Sequence, residues 1–192
     1  MLNEGAGFGF TNKTNLVNKG KGYNYGLELT LEKFLNKGFY YLATGSIFQS
    51  KYKGSDNIWR NTVFNTNFTL NLLMGKEIAL NSKTSMAVDT KFTIAGGQRY
   101  TPFDLMQSQI KGYVVYKEED AFSLQHDTYK RLDLKFSYIR NKKRSTQKWY
   151  VDLQNLTNNK NIYVKILNPK TGNVNAINQI GFFPNINYSI TF

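Results

Sequence analysis

The chain has no cysteine, a single histidine and no apolar run long enough to cross a membrane as a helix. Without cysteine there are no disulfides, thiolate metal sites or cysteine nucleophiles. His126 has no second His or Cys to complete a zinc site, so no metal is expected. No signal-peptide pattern opens the chain; Met1–Gly5 runs straight into polar, glycine-rich sequence. Gly5–Gly9 lacks the Lys-Ser/Thr pair of a phosphate loop, and no helix is predicted after it. There is no G-x-S-x-G and no Ser/His/Asp arrangement in a plausible context. Neither an enzyme nor a cofactor is expected. The formal charge of +12 is spread along the chain. Its densest cluster, Lys142-Lys143-Arg144, lies between two strand patterns and reads as a solvated turn, so no nucleic-acid partner is expected. The acidic run Glu118-Glu119-Asp120 reads as a solvated loop.

What the chain has instead is alternation. Its last seven residues put Ile186, Tyr188, Ile190 and Phe192 on one face and Asn187, Ser189 and Thr191 on the other, the two-residue period of a strand. Five more segments alternate as cleanly: Tyr25 to Leu31, Phe64 to Leu72, Met86 to Ile94, Leu132 to Tyr138 and Trp149 to Leu153. Gly38 to Lys51 is rich in strand-forming residues, but Tyr41, Ala43 and Ile47 face Tyr40, Leu42 and Phe48, so neither face is distinguishable. Aromatics at 15%, with abundant Asn, Thr and Gly, suit strands and turns.

With their less regular ends, most of these strands reach about ten residues, enough for a tilted bilayer crossing, where globular strands average about five or six. The assignable apolar faces carry no Lys, Arg, Asp or Glu, and the polar faces carry Glu28, Glu32, Asp89, Lys91, Asp133, Lys135 and Asp152. A basic side chain facing lipid at mid-bilayer costs about 2–4 kcal/mol, so this segregation suits a membrane wall. The connections nearly alternate. Those at 34–37 and 141–145 are short, 75–83 is shorter than 96–127, and 52–60 is intermediate, while 5–21, 96–127 and 158–180 are long. That is the pattern of tight turns at one rim of a membrane barrel and extended loops at the other. The expected fold is all-β, an antiparallel up-and-down transmembrane barrel segment of about 7–8 strands. Seven is odd, and residues 1–4 read as the tail of an earlier strand in a larger barrel.

Several blocks carry a resemblance in order along the chain: Asn24–Lys33, Ser50–Asp56, Arg60–Thr62, Gly75–Glu77, Gly96–Pro102 and Asp152–Asn158. Together they resemble the C-terminal barrel of TonB-dependent receptors of the Bacteroidetes lineage. The resemblance implies a bacterial outer-membrane barrel of about 22 strands filled by an N-terminal plug. It also implies import of scarce nutrients of the siderophore, cobalamin or glycan class, driven through TonB. Residues 1–192 show no plug, so the expectation is one C-terminal barrel domain that supplies wall and outer loops. Its implied partners are outer-membrane lipid, a nutrient ligand, TonB through the missing plug, and the outer-membrane assembly machinery. Two other readings stay open: a stand-alone structural or adhesive outer-membrane barrel of about eight strands, and a soluble β-rich binding protein.

Candidate ligand-loop residues are Arg99, Tyr100, Trp59, Arg60 and Tyr113, in or beside the predicted outer loops, because Arg and aromatics most often anchor ligands. The same residue types also suit an interfacial aromatic girdle and loop packing. Tyr188, Ile190 and Phe192 resemble the assembly signal of outer-membrane barrels. A two-residue turn at Lys143-Arg144 predicts Tyr138 opposite Trp149, Phe136 opposite Val151, Leu134 opposite Leu153 and Lys135 opposite Asp152.

Overall fold

A computed structural model describes residues 19–192. The expectations for residues 1–4, Gly5–Gly9 and most of the 5–21 connection lie outside the described residues. The chain gives β1 (Lys21–Asn36), β2 (Phe39–Lys53), the short β3 (Trp59–Asn61), β4 (Phe68–Asn81), β5 (Thr84–Ala95) and β6 (Arg99–Tyr100). A seven-residue helix, α1 (Leu105–Lys111), precedes β7 (Leu124–Gln125), β8 (Tyr129–Asn141) and β9 (Thr146–Gln154). Then come β10 (Ile162–Leu167), β11 (Val174–Asn178) and β12 (Phe183–Thr191). No helix is long and apolar enough to cross a membrane.

The seven long strands form one antiparallel sheet in the order β1-β2-β4-β5-β8-β9-β12, with β3 added to the end of β2. The sheet is open: among the described residues, β1 pairs only with β2, and β12 only with β9. Tight turns join β1 to β2, β4 to β5 and β8 to β9, and all three lie at the end of the sheet where β12 finishes. In the first turn Lys37 and Gly38 both have positive φ, 49° and 74°, the geometry that matches a two-residue hairpin loop to strand twist. The third turn is the expected one. Lys142 N–H donates to the Ser145 carbonyl at 2.7 Å across Lys143-Arg144, and all four predicted cross-strand pairs are present.

The connection expected at 75–83 differs. β4 runs on to Asn81, and only Ser82 and Lys83 turn the chain, with Lys83 N–H held by the Asn81 carboxamide at 2.9 Å. Gly75-Lys76-Glu77 reads as a turn in sequence yet pairs on both sides within the sheet. The start of β4 also differs, because Phe64 to Asn67 is loop despite its alternation. Asn67 takes φ +73°, and Asn65 is fully buried with its side chain bound to neighbouring chain. The short-turn, long-loop alternation is therefore sharper than the sequence suggests.

Cross-strand register fixes the two faces. On one lie Leu27, Leu29 and Leu31 of β1, Ala43 and Ile47 of β2, and Leu70 and Leu72 of β4. Val88 and Phe92 of β5, Leu134 and Phe136 of β8, Val151 of β9 and Ile186 of β12 continue it. This face is exposed: Leu27 is 70% accessible, Leu29 62% and Ile186 81%. The only buried hydrophobic residues described are Ala121 and Leu167, both in the loop region, whereas buried polar residues include Ser85 and Ser137 of the sheet. A water-soluble sheet of this size packs an apolar face against something; among the described residues no second layer covers this apolar face.

Charge is sorted by face as well. Every carboxylate of the seven strands (Glu28, Glu32, Glu77, Asp89, Asp133 and Asp152) is on the polar face. The apolar face carries only cations, Lys21, Lys33, Lys51, Lys53, Lys76, Lys130 and Arg140. All sit toward strand ends or, for Lys76, reach the first turn by donating to the Lys37 carbonyl at 3.1 Å. On the polar face Tyr40 crosses the bare Gly75 to donate to Asp89 Oδ1 at 2.7 Å. Lys135 stands opposite both Asp89 and Asp152, but its ammonium lies over the Tyr150 ring, 4.6 Å from the centroid.

The strands are also staggered. The row Phe39–Lys76–Val88–Phe136–Val151–Ile186 crosses the sheet from β2 to β12. On β2 it adjoins the first turn, yet on β8 it lies well short of the third. The offset is roughly six residues, or about 20 Å along the strands for about 19 Å across four strand spacings. The line joining the turns thus runs at about 45° to the strands.

Candidate functional site

The ends of β2, β4, β5, β8, β9 and β12 opposite the tight turns carry the long connections, and these pack on one another. Arg60 and Arg99 hold them together. Arg60 is buried; its Nη2 pairs with Asp56 Oδ2 at 2.5 Å, and its Nε donates to the Glu119 carbonyl at 3.0 Å. The paired guanidinium holds the Asp56 carboxyl below its usual range, and Asp56 in turn raises Arg60. Arg99 Nε donates to the Asn65 carbonyl at 2.8 Å and its Nη2 to Asn67 Oδ1 at 2.9 Å. Burial lowers the Arg99 pKa. Asn65 itself accepts from Ser50 N–H and donates to Gln49 and Asn61.

Beside Arg99, the β6–β7 pair sets Tyr100 against His126, with ring centroids 4.4 Å apart and planes 12° from parallel. Gly97 permits this, because a Cβ there would strike the His126 and Asp127 backbone. Lys165 of β10 arrives from a hairpin far along the chain and donates to Tyr100 Oη at 3.0 Å. His126 Nδ1 is buried with no hydrogen-bond partner among the described residues. Burial, with help from the Lys165 charge, pushes the His126 pKa below 6.5, against the opposing pull of Asp127. These residues, with Phe103, Tyr116, Phe122 and Tyr163, line a cavity of about 340 Å³. Its chemistry is aromatic walls with two cationic groups, Arg99 and Lys165, the Glu118 carboxylate and phenolic hydroxyls. That suits a small ligand with apolar faces and a hydrogen-bonding polar edge.

The other sequence candidates lie elsewhere. Trp59 packs on Tyr23 at 4.8 Å, with the Lys53 ammonium 5.9 Å from its ring, on the apolar side of β1 and β2. Tyr113 is 59% exposed beyond the C-terminus of α1, with Lys111 6.0 Å from its ring. Tyr188 packs on Trp149 at 5.2 Å, Ile190 pairs with Gln147, and Phe192 is 92% exposed at the tight-turn end. Of the five ligand-loop candidates, then, the structure brings Arg99 and Tyr100 into one cavity, uses Arg60 as a clamp and sets Trp59 and Tyr113 apart. Sequence reading missed Lys165, Tyr163, Phe103 and Tyr116. Only the aromatic density of those loops hinted at them. Among the described residues no three His, Cys, Asp or Glu gather to hold a metal.

These features define an all-β protein with one exposed apolar sheet face and a cavity built by the long loops at one end. No family model, curated protein or solved structure matches the chain.

Proposed function

We propose that this chain is a wall segment of a bacterial outer-membrane barrel of the TonB-dependent receptor type, contributing outer loops to uptake of a small nutrient. The carrying observation is the inverted sheet, whose apolar face is exposed and free of carboxylates, with cations toward strand ends except Lys76, whose ammonium reaches the first turn. Lipid is the surrounding that makes such a face favourable. On β8 the apolar stretch between Lys130 and Arg140 spans ten residues, about 33 Å at ~3.3 Å each, or about 23 Å high when tilted by about 45°. Outer-membrane barrels carry an apolar band of about 25 Å and strands tilted about 35–45°.

Tight turns at one rim and long loops at the other agree with that placement, with the turns periplasmic and the cavity at Tyr100 and His126 facing outward. The edges of β1 and β12, unpaired among the described residues, favour a larger barrel over a stand-alone small one, because exposed edges recruit further strands. A ligand would meet the cavity first, and transport would need the plug and TonB.

Nitroxide labels at Leu72 and Asn71, neighbours on opposite faces of β4, test the reading in lipid-embedded protein. Oxygen should relax the Leu72 label and a water-soluble nickel reagent the Asn71 label. Equal access of the nickel reagent to both would overturn it. A plug-coding sequence in frame upstream distinguishes the receptor from the small barrel.

A further inference from the structure

We propose that the β8–β9 hairpin and β12 form a binding site for one anionic glycerophospholipid, with its phosphate at the turn and an acyl chain along the apolar face. The inference rests on the membrane-wall reading above. Three layers succeed one another down this part of the sheet. At the turn, Arg140, Lys142, Lys143 and Arg144 are all exposed. None has an ion pair or side-chain hydrogen bond among the described residues. Inside them runs an aromatic row, Tyr138–Trp149–Tyr188, with centroid separations of 5.7 and 5.2 Å. Inside that lies the wholly apolar row Phe136–Val151–Ile186. A groove of about 420 Å³ lies across both rows, with Met86 at its margin.

Phosphate, glycerol-ester zone and hydrocarbon succeed one another in the same order in a phospholipid. Guanidinium and ammonium groups recognise phosphate oxygens, and Tyr and Trp favour the headgroup boundary. The occupant must be anionic, because four free cations stand together and no carboxylate of the seven strands shares their face. The other rim is less selective: there Lys53 is engaged by the Trp59 ring and the neighbouring loops carry Asp56 and Glu118–Asp120.

The chain supplies its own reporter, since Trp149 and Trp59 are its two tryptophans. The full chain with Trp59→Phe is placed in phosphatidylcholine vesicles holding a minor fraction of acyl-brominated phosphatidylglycerol. A parallel set holds the same fraction of acyl-brominated phosphatidylcholine. Trp149 should be quenched at least twofold more by the brominated phosphatidylglycerol. Replacing Arg140, Lys142, Lys143 and Arg144 together by Gln should bring the two lipids to parity, with quenching by brominated phosphatidylcholine unchanged. Replacing Lys21, Lys51, Lys53 and Lys130 by Gln should keep the preference. Equal quenching in the starting protein overturns the headgroup site and leaves the membrane wall standing. Quenching by neither lipid overturns the membrane wall itself. A preference that survives the four turn substitutions also overturns the site.

Discussion

His126 shows how one side chain can tie a loop cluster to pH. Its ring lies flat on Tyr100, its Nδ1 is buried with no partner among the described residues, and Lys165 holds a positive charge nearby. Burial and the Lys165 charge disfavour a second cation, so the folded chain lowers the imidazole pKa below the ordinary histidine value of 6.5. A base with a lowered folded pKa adds stability above its unfolded value. That stability is lost as pH falls from 6.5 toward the folded pKa. Mild acid should therefore loosen the contact between the 96–128 connection and the β10–β11 hairpin, while Asp56, held low by Arg60, stays ionised and keeps its clamp. Imidazole carbon shifts followed by NMR against pH give the check, and His126→Phe should keep the stack and flatten the pH response. Titration at or above 6.5 would refute the account. The sequence marked His126 only as a lone histidine unfit for zinc; its partner Lys165 lies 39 residues further on, beyond the reach of local pattern.

Among the elements, β2 is the one whose faces the sequence leaves ambiguous, and the structure gives the reason. Tyr40 and Phe48 are large residues on the polar face, and each lies opposite a glycine of the neighbouring strand, Gly75 and Gly26 respectively. The space that those glycines leave is filled from across the ladder, so alternation within β2 alone cannot distinguish its faces. β8 and β9 need no such exchange, and their pattern and turn specify register unaided. The connections were misjudged where a local signal competed with pairing: Gly75-Lys76-Glu77 looks like a turn but lies in the ladder, and Phe64 to Asn67 alternates but is bent by Asn67. Gly75→Val tests the exchange. The new side chain would meet the Tyr40 ring and Asp89 and break their hydrogen bond, at a cost of about 1–3 kcal/mol from overpacking alone. The urea midpoint of the protein in detergent should fall further for Gly75→Val than for Tyr40→Phe, which removes only the hydroxyl. An unchanged midpoint for Gly75→Val would show that Tyr40 does not cross at this point.

At the scale of the whole molecule, the exposed apolar face, the staggered rim and the two edges unpaired among the described residues act together. In the proposed barrel, a staggered sheet with free edges closes by adding strands until first and last meet, and β12 would be one of the strands that make that closure. Its row Ile186, Tyr188, Ile190 and Phe192 continues the apolar side of β9 through the Tyr188–Trp149 contact and ends at the tight-turn rim. Phe192 touches little in the folded sheet, being 92% exposed. Its removal should therefore have a small effect on the stability of a barrel already formed. As the terminal aromatic of the row that resembles an assembly signal, it should matter during insertion. Deleting Phe192 should lower the yield of heat-modifiable barrel in outer-membrane fractions several-fold, while Ser189→Ala, on the polar face of the same strand, leaves the yield unchanged. Whatever barrel the deletion variant does form should unfold at nearly the parent's urea midpoint, which separates a defect in assembly from one in stability. Equal yields from the two variants would remove the assembly role of Phe192, and a matching fall in midpoint would reassign it to packing.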